Sequence, residues 1–172
     1  MAHVIKKYKM HFLLDFHYSD YWADPRQQNK PDAWKNLSFD ELKEAVHKYT
    51  YDVLYRLKIM DCAPDMVQIG NEIRSGMLFP DGAVPQYRQL AELVNEGIRA
   101  VRELLPETKV MIHLDQGGRY NCIMPWLDSM FNAGLLPIDA IGLSFYSFWH
   151  GTFMDLKDTM SRIIKLYNLP VY

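Results

Sequence analysis

Four short apolar runs, set apart by longer amphipathic stretches, constrain this chain more than any other feature of it. They are HFLLDF (His11–Phe16), DMVQIGN (Asp65–Asn71), KVMIHLD (Lys109–Asp115) and AIGLSFY (Ala140–Tyr146). Each is nearly continuous in apolar residues, the pattern of strands covered on both faces in a parallel sheet. The stretches between them read as helices. Ser38 and Glu41 have capping-box spacing, and Leu42, Ala45, Val46, Tyr49, Val53, Leu54 and Leu57 follow at three- and four-residue steps. A second helix is predicted to begin near Pro85 and run through Leu90, Leu93, Val94, Ile98, Val101 and Leu104. Shorter helices fit residues 122–133, closed by Gly134, and residues 153–167. LPVY, residues 169–172, reads as the start of a fifth strand.

Strand and helix in strict alternation imply right-handed βαβ units and a parallel sheet, an α/β fold. A doubly wound sheet would carry a glycine-rich turn after its first strand, and DFHYSD is not one. A (β/α)8 barrel places its chemistry in the loops that follow the strands. Here every strand ends in polar or aromatic groups: Asp15-Phe16-His17-Tyr18, Asn71-Glu72, His113-Leu114-Asp115 and Ser144-Phe145-Tyr146. The barrel is the expected architecture. A complete one takes about 250 residues, so residues 1–172 are expected to form a single incomplete (β/α)8 domain with about four βα units.

Composition removes several function classes. The chain is 49% hydrophobic and 23% charged, which is globular. A net charge of −2 leaves no basic footprint for nucleic acid. The apolar runs fall far short of the roughly 20 residues of a membrane span. The opening MAHVIKKYKMHFLLDF holds no apolar run longer than three residues and is not read as a signal peptide. Cys62 and Cys122 make neither a disulfide framework nor a metal-ligand spacing, and their state stays open.

The most informative polar pair is Asn71-Glu72, which closes the second run. Alone, such a glutamate is as readily a loop cap or a salt-bridge partner for Arg74. In a barrel, a carboxylic acid at a strand end can protonate a glycosidic oxygen, provided a second carboxylate attacks or activates water. Asn71 could then hydrogen-bond a sugar hydroxyl. Asp15 and Asp115 are the nearest other carboxylates, and accepting hydrogen bonds from backbone or histidine is their plainer role. His17, His113 and His150 also follow strands. No His-x-His or HExxH pattern accompanies them, so a metal-dependent hydrolase built on His17, His113 and Asp115 is the weaker reading. Ser19, Ser144 and Ser147 lack a nucleophile elbow. Aromatics make up 13% of the chain, and Tyr18, Tyr21, Trp22, Tyr146, Phe148 and Trp149 cluster after the first and fourth strands, where they could stack on sugar rings. Trp34 and Trp126 read as core.

Four motifs together carry a resemblance: LLDFHYSDYWADP (13–25), DMVQIGNEIRSGMLFP (65–80), MIHLDQGG (111–118) and IGLSFYSFWHG (141–151). In this order and spacing they resemble the endo-β-1,4-galactanases, glycoside hydrolase family 53, over essentially the whole chain. The resemblance implies a (β/α)8 barrel that cleaves β-1,4-galactan of type I arabinogalactan with retention of configuration. It places the acid/base on Glu72, preceded by Asn71. It also implies that His17, Asp20, Trp22, His113, Asp115, Tyr146, Trp149 and His150 line or support the substrate cleft.

By the same resemblance the nucleophile is a glutamate ending the seventh strand. Counting Glu72 as the fourth, that position lies beyond Tyr172, as does the calcium site of some relatives. No cofactor or metal is therefore expected within residues 1–172. The expected partner is β-1,4-galactan or a galacto-oligosaccharide, with no nucleic acid and no membrane span. An extracellular, cell-surface or periplasmic location is implied by the family alone. This chain is expected to be the middle of a galactanase, with little hydrolysis of its own, or else a non-catalytic galactan-binding form. Unpaired barrel edges would let two copies associate.

Overall fold

The computed structural model describes all of residues 1–172, and its order of elements follows the alternation in the sequence. A short helix α1 (Ala2–Lys7) leads into strand β1 (Leu13–Phe16). Helix α2 (Phe39–Ile59) starts at a closed capping box: Ser38 Oγ accepts from the Glu41 N–H, and Glu41 returns its carboxylate to the Ser38 N–H. Strand β2 (Met66–Ile69) is followed by a 3-10 turn over Ile73–Ser75 and a small antiparallel ribbon, β3 (Gly76–Met77) with β4 (Gly82–Ala83). Then come α3 (Tyr87–Leu104), β5 (Lys109–Leu114), α4 (Tyr120–Asn132), β6 (Ala140–Leu143), the single-turn α5 (Ser147–His150) and α6 (Phe153–Tyr167).

Strands β1, β2, β5 and β6 form one parallel sheet in that order. The expected fifth strand begins to pair on β6: Ile141 N donates to Pro170 O at 3.0 Å and Tyr172 N to Ile141 O at 2.9 Å. This is a partial (β/α)8 barrel.

Successive strand residues face opposite sides. Phe16, Val67, Ile69, Val110, Ile112, Leu114 and Ile141 all enter the buried cluster shared with the helices, notably Leu42, Val46 and Leu54 of α2 and Leu90, Val94, Ile98 and Val101 of α3. The alternate residues, Leu13, Asp15, Gln68, Met111 and His113 among them, face the concave side. The runs looked doubly covered in sequence, yet within this chain helices cover only one face, and Leu13 is 46% exposed.

Two local differences from the sequence reading stand out. Helix α3 begins at Tyr87, two residues after Pro85, because Pro85 belongs to the turn that leaves the β3–β4 ribbon. The ribbon itself carried no strand signature. Its strands are two residues long, and its closeness depends on glycine: a β-carbon on Gly76 would stand 2.1 Å from the Gly82 carbonyl oxygen. Trp126 is buried as expected, whereas Trp34 is half-buried and packs edge-on against Tyr49.

Candidate active site

Every strand end named above sits at the C-terminal edge of the sheet, and two of the loops there hold each other. The loop after β1 docks onto the turn after β2 through a set of hydrogen bonds. Asn71 Nδ2 donates to Ala23 O (2.8 Å), Gln28 Nε2 to Asn71 O (2.8 Å), Ser75 Oγ to Pro25 O (2.6 Å) and Phe79 N to Gln28 O (2.7 Å). Glu72 rides on this clamped turn with φ 49° and ψ 47°, the left-handed region that a residue with a side chain visits at some cost. Tyr18 after β1 and Gln116 after β5 are left-handed too, so three strand ends turn the same sharp corner.

Glu72 lines a cleft of about 700 Å³ together with Trp22, Asp24, Arg26, Arg74, Asp115, Arg119, Tyr146, Phe148, Trp149 and His150. Arg74 does not pair with Glu72. It forms a two-pronged bridge to Asp115, Nε to Oδ1 at 2.8 Å and Nη2 to Oδ2 at 3.1 Å, and the Asp115 side chain is only 6% exposed. Glu72 therefore keeps its carboxylate outside that ion pair and at the cleft surface. The other carboxylate of the cleft, Asp24, accepts the Arg26 N–H at 2.7 Å.

Behind Glu72 the polar groups interlock. The carbonyl of Ala23 can only accept, so the Asn71 amide nitrogen must face it and Asn71 Oδ1 must face His113. His113 Nδ1 then carries a proton and donates to Asn71 Oδ1 at 2.8 Å, leaving Nε2 to accept from Ser144 Oγ at 3.1 Å. The Glu72 N–H also nears that Nδ1, at 3.3 Å, but a protonated nitrogen cannot accept it; the shorter contact decides. Burial pushes the His113 imidazole down to about 4, against the pull of Asp115, so the ring is neutral at pH 7. Space for it comes from Gly142 on β6, where a β-carbon would stand 3.1 Å from His113 Cδ2.

His17 completes the other side. Its Nδ1 accepts the Ala23 N–H at 2.9 Å, and its Nε2 lies 3.0 Å from Asp15 Oδ2. The plainer reading of Asp15, a hydrogen-bond acceptor for a histidine, holds in this geometry.

The rim is aromatic. Trp22, Tyr146, Phe148 and Trp149 are exposed at the cleft, and Tyr146 meets Trp149 edge-on at 5.8 Å. Arg119 fastens this lobe by donating Nη2 to the Trp149 carbonyl at 2.6 Å. His150 is buried beneath it, its Nδ1 3.1 Å from Ser144 O.

Asp20 and Tyr18 lie elsewhere. The Asp20 carboxylate accepts the Asp32 N–H at 2.7 Å and faces a separate depression beside Tyr21 and Lys35. Tyr18 is no platform: it is 4% exposed and stacks on Phe16. Its hydroxyl donates to Thr50 Oγ1, whose own proton goes to Val46 O. A left-handed backbone turns it into the core. His17, His113 and Asp115 engage separate protein partners, and no three His, Cys, Asp or Glu side chains are grouped for a metal. Gln28, Arg26 and Arg119 carry no signal in the sequence because lone amides and arginines in loops form no motif, and Gln68 is hidden inside an apolar strand run.

Known proteins resemble this chain over nearly its whole length. A protein of Niallia circulans is 46% identical over 99% of this chain and 49% of its own length. The endo-beta-1,4-galactanase of Bacillus subtilis is 35% identical over 94% of this chain and 37% of its own length. The solved GH53 catalytic domain of Ignisphaera aggregans superposes with a TM-score of 0.94 at 40% identity, covering 99% of this chain and 47% of that one. The chain thus spans about half the length, or less, of the relatives it matches. The match to glycosyl hydrolase family 53 runs over residues 1–172, and the chain belongs to that family.

Proposed function

We propose that Glu72 is the general acid/base in retaining, endo-acting hydrolysis of β-1,4-galactan by the protein to which these residues belong. One observation carries the reading: Glu72 faces the cleft while its obvious cation, Arg74, is held by Asp115. In the first step Glu72 donates its proton to the departing sugar oxygen as a nucleophilic carboxylate attacks the anomeric carbon. In the second, ionised Glu72 takes a proton from the water that releases the sugar. The galactan assignment rests on the family and on the named activity of the Bacillus subtilis relative.

Trp22, Tyr146 and Trp149 supply flat apolar faces for the sugar rings, and Asp115 and His150 shape the cleft floor. Asn71, His17 and His113 act from behind Glu72, and Asp20 supports the loop that bears Trp22. No metal is invoked. An extracellular location suits a polysaccharide substrate and is part of the proposal; no helix of the chain is long and apolar enough to cross a membrane.

Retention needs a second carboxyl about 5–5.5 Å from the first. Within the cleft Asp115 is bridged to Arg74 and Asp24 accepts the Arg26 N–H, and the proposal takes the nucleophile, as the family resemblance implies, from outside residues 1–172. For this chain alone, that favours binding of galacto-oligosaccharide without cleavage. Calorimetric titration with a β-1,4-galacto-oligosaccharide, beside a reducing-sugar assay on galactan, tests both parts. Binding without turnover is expected. Turnover abolished by Glu72→Gln would place the nucleophile within the chain, and absence of any binding would defeat the galactan reading.

A further inference from the structure

One buried side chain in the site has no assigned role. Gln68, on β2, is 4% exposed and points to the concave face beside Asp15 of β1, its register partner. Its Nε2 lies 2.7 Å from Asp15 Oδ1, 3.1 Å from Gly70 O and 3.3 Å from Asn71 Oδ1. All three are acceptors. Asp15 Oδ1 is a carboxylate oxygen, Gly70 O a carbonyl, and Asn71 Oδ1 is fixed as oxygen by the donation of its amide nitrogen to Ala23. Only an NH2 group can face this set, so the carboxamide has a single permitted orientation.

With Gln68 in place the hydrogen bonds close into a ring. It runs from Asp15 to His17, through the backbone N–H and carbonyl of Ala23, to Asn71, and back through Gln68 to Asp15. His113 branches from the ring at Asn71. The turn that carries Glu72 is thereby tied to β1 from inside the sheet, independently of the loop contacts made by Gln28 and Ser75.

We propose that Gln68 is a positioning residue for Glu72: it braces the side-chain amide of Asn71 in the orientation that Ala23 sets, and so steadies the His113 tautomer and the placement of the Asn71-Glu72 turn. The role rests on Glu72 being the functional carboxylate, but the hydrogen-bond arrangement can be judged apart from catalysis. A role in packing alone would leave the identity of the Gln68 terminal atoms unimportant. The acceptor set makes it decisive.

Gln68→Glu is the discriminating variant. It keeps the shape and replaces the donor with a carboxyl that faces three acceptors. The titratable groups around it are Asp15 and His17 on one side, His113 and Glu72 on the other. The new carboxyl is expected to hold its proton to at least two pH units above the ordinary glutamate value of about 4.3. Nuclear magnetic resonance of the 15N-labelled chain reads the outcome. The wild-type protein should show His113 protonated on Nδ1 and His17 on Nε2, with the Asn71 side-chain amide signals unchanged from pH 6 to 8. In Gln68→Glu the Asn71 amide and His113 ring signals should move together as the new carboxyl ionises. In Gln68→Met they should be displaced at every pH, while the core methyl signals stay native.

An ordinary carboxyl titration that leaves Asn71 and His113 unmoved would overturn the proposal. So would Gln68→Met signals identical to wild type at those two residues, or a wild-type His113 protonated on Nε2. Failure to bind galacto-oligosaccharide would strike the functional reading alone, since none of these spectra requires ligand.

Discussion

Glu72 and His113 show how far a site can be tuned by single residues. Glu72 occupies left-handed backbone that most residues avoid, and the clamp of Gln28, Asn71 and Ser75 holds it there. Strain of this kind persists where surrounding bonds over-determine it. His113 is held neutral by burial, with a folded-state value of about 4 against about 6.5 in an unfolded chain. Between those values the unfolded chain binds more protons, so this group contributes stability that is present above pH 6.5 and lost as pH falls toward 4. The loss is expected to be on the order of 3 kcal/mol. Asp15, raised by burial in spite of His17, works with the opposite sign. Urea unfolding at pH 7, 5.5 and 4, with His113→Asn as the comparator, measures the effect: the variant should be weaker at pH 7 and less sensitive to acid. An equal acid loss in both proteins would refute the assignment.

At the scale of elements, the four strands and the long helices were legible because their signals are local and repeated. Continuous apolar runs marked β1, β2, β5 and β6, and Ser38 with Glu41 marked the start of α2 to the residue. Replacing Ser38 with alanine removes one half of that box and should cost about 1 kcal/mol, a fall in melting temperature of about 3 °C by calorimetry. No change would mean that the packing of α2 on α3 alone decides where the helix starts. The β3–β4 ribbon was illegible, since two-residue strands show no periodicity. The site was half legible. Asn71, Glu72 and the aromatic rim could be read because they punctuate strands. Gln68 and Gln28 could not: a single amide becomes meaningful only when its acceptors are brought to it from other segments. Tyr18 misled for a related reason, because a reversal of backbone hand after the strand sends the side chain inward.

For the molecule as a whole, the sheet is the feature with consequences. Helices cover its outer face, while the concave face and the edge of β1 lie open, with Leu13 46% and Tyr172 60% exposed. Unpaired edges beside apolar surface invite association. Light scattering coupled to size exclusion should give a mass above that of one chain that rises with concentration, and Leu13→Lys should lower it. A single-chain mass at every concentration would refute self-association.

Ala23 joins the network through its N–H to His17 and its carbonyl to Asn71, and its methyl group takes no part. Side-chain replacement therefore cannot interrogate it. Ala23 is fully buried, so a mutational survey would report the crowding caused by larger side chains and would leave this junction behind Glu72 unseen. Only chemistry on the main chain itself, such as exchanging an amide for an ester, reaches the atoms that matter there.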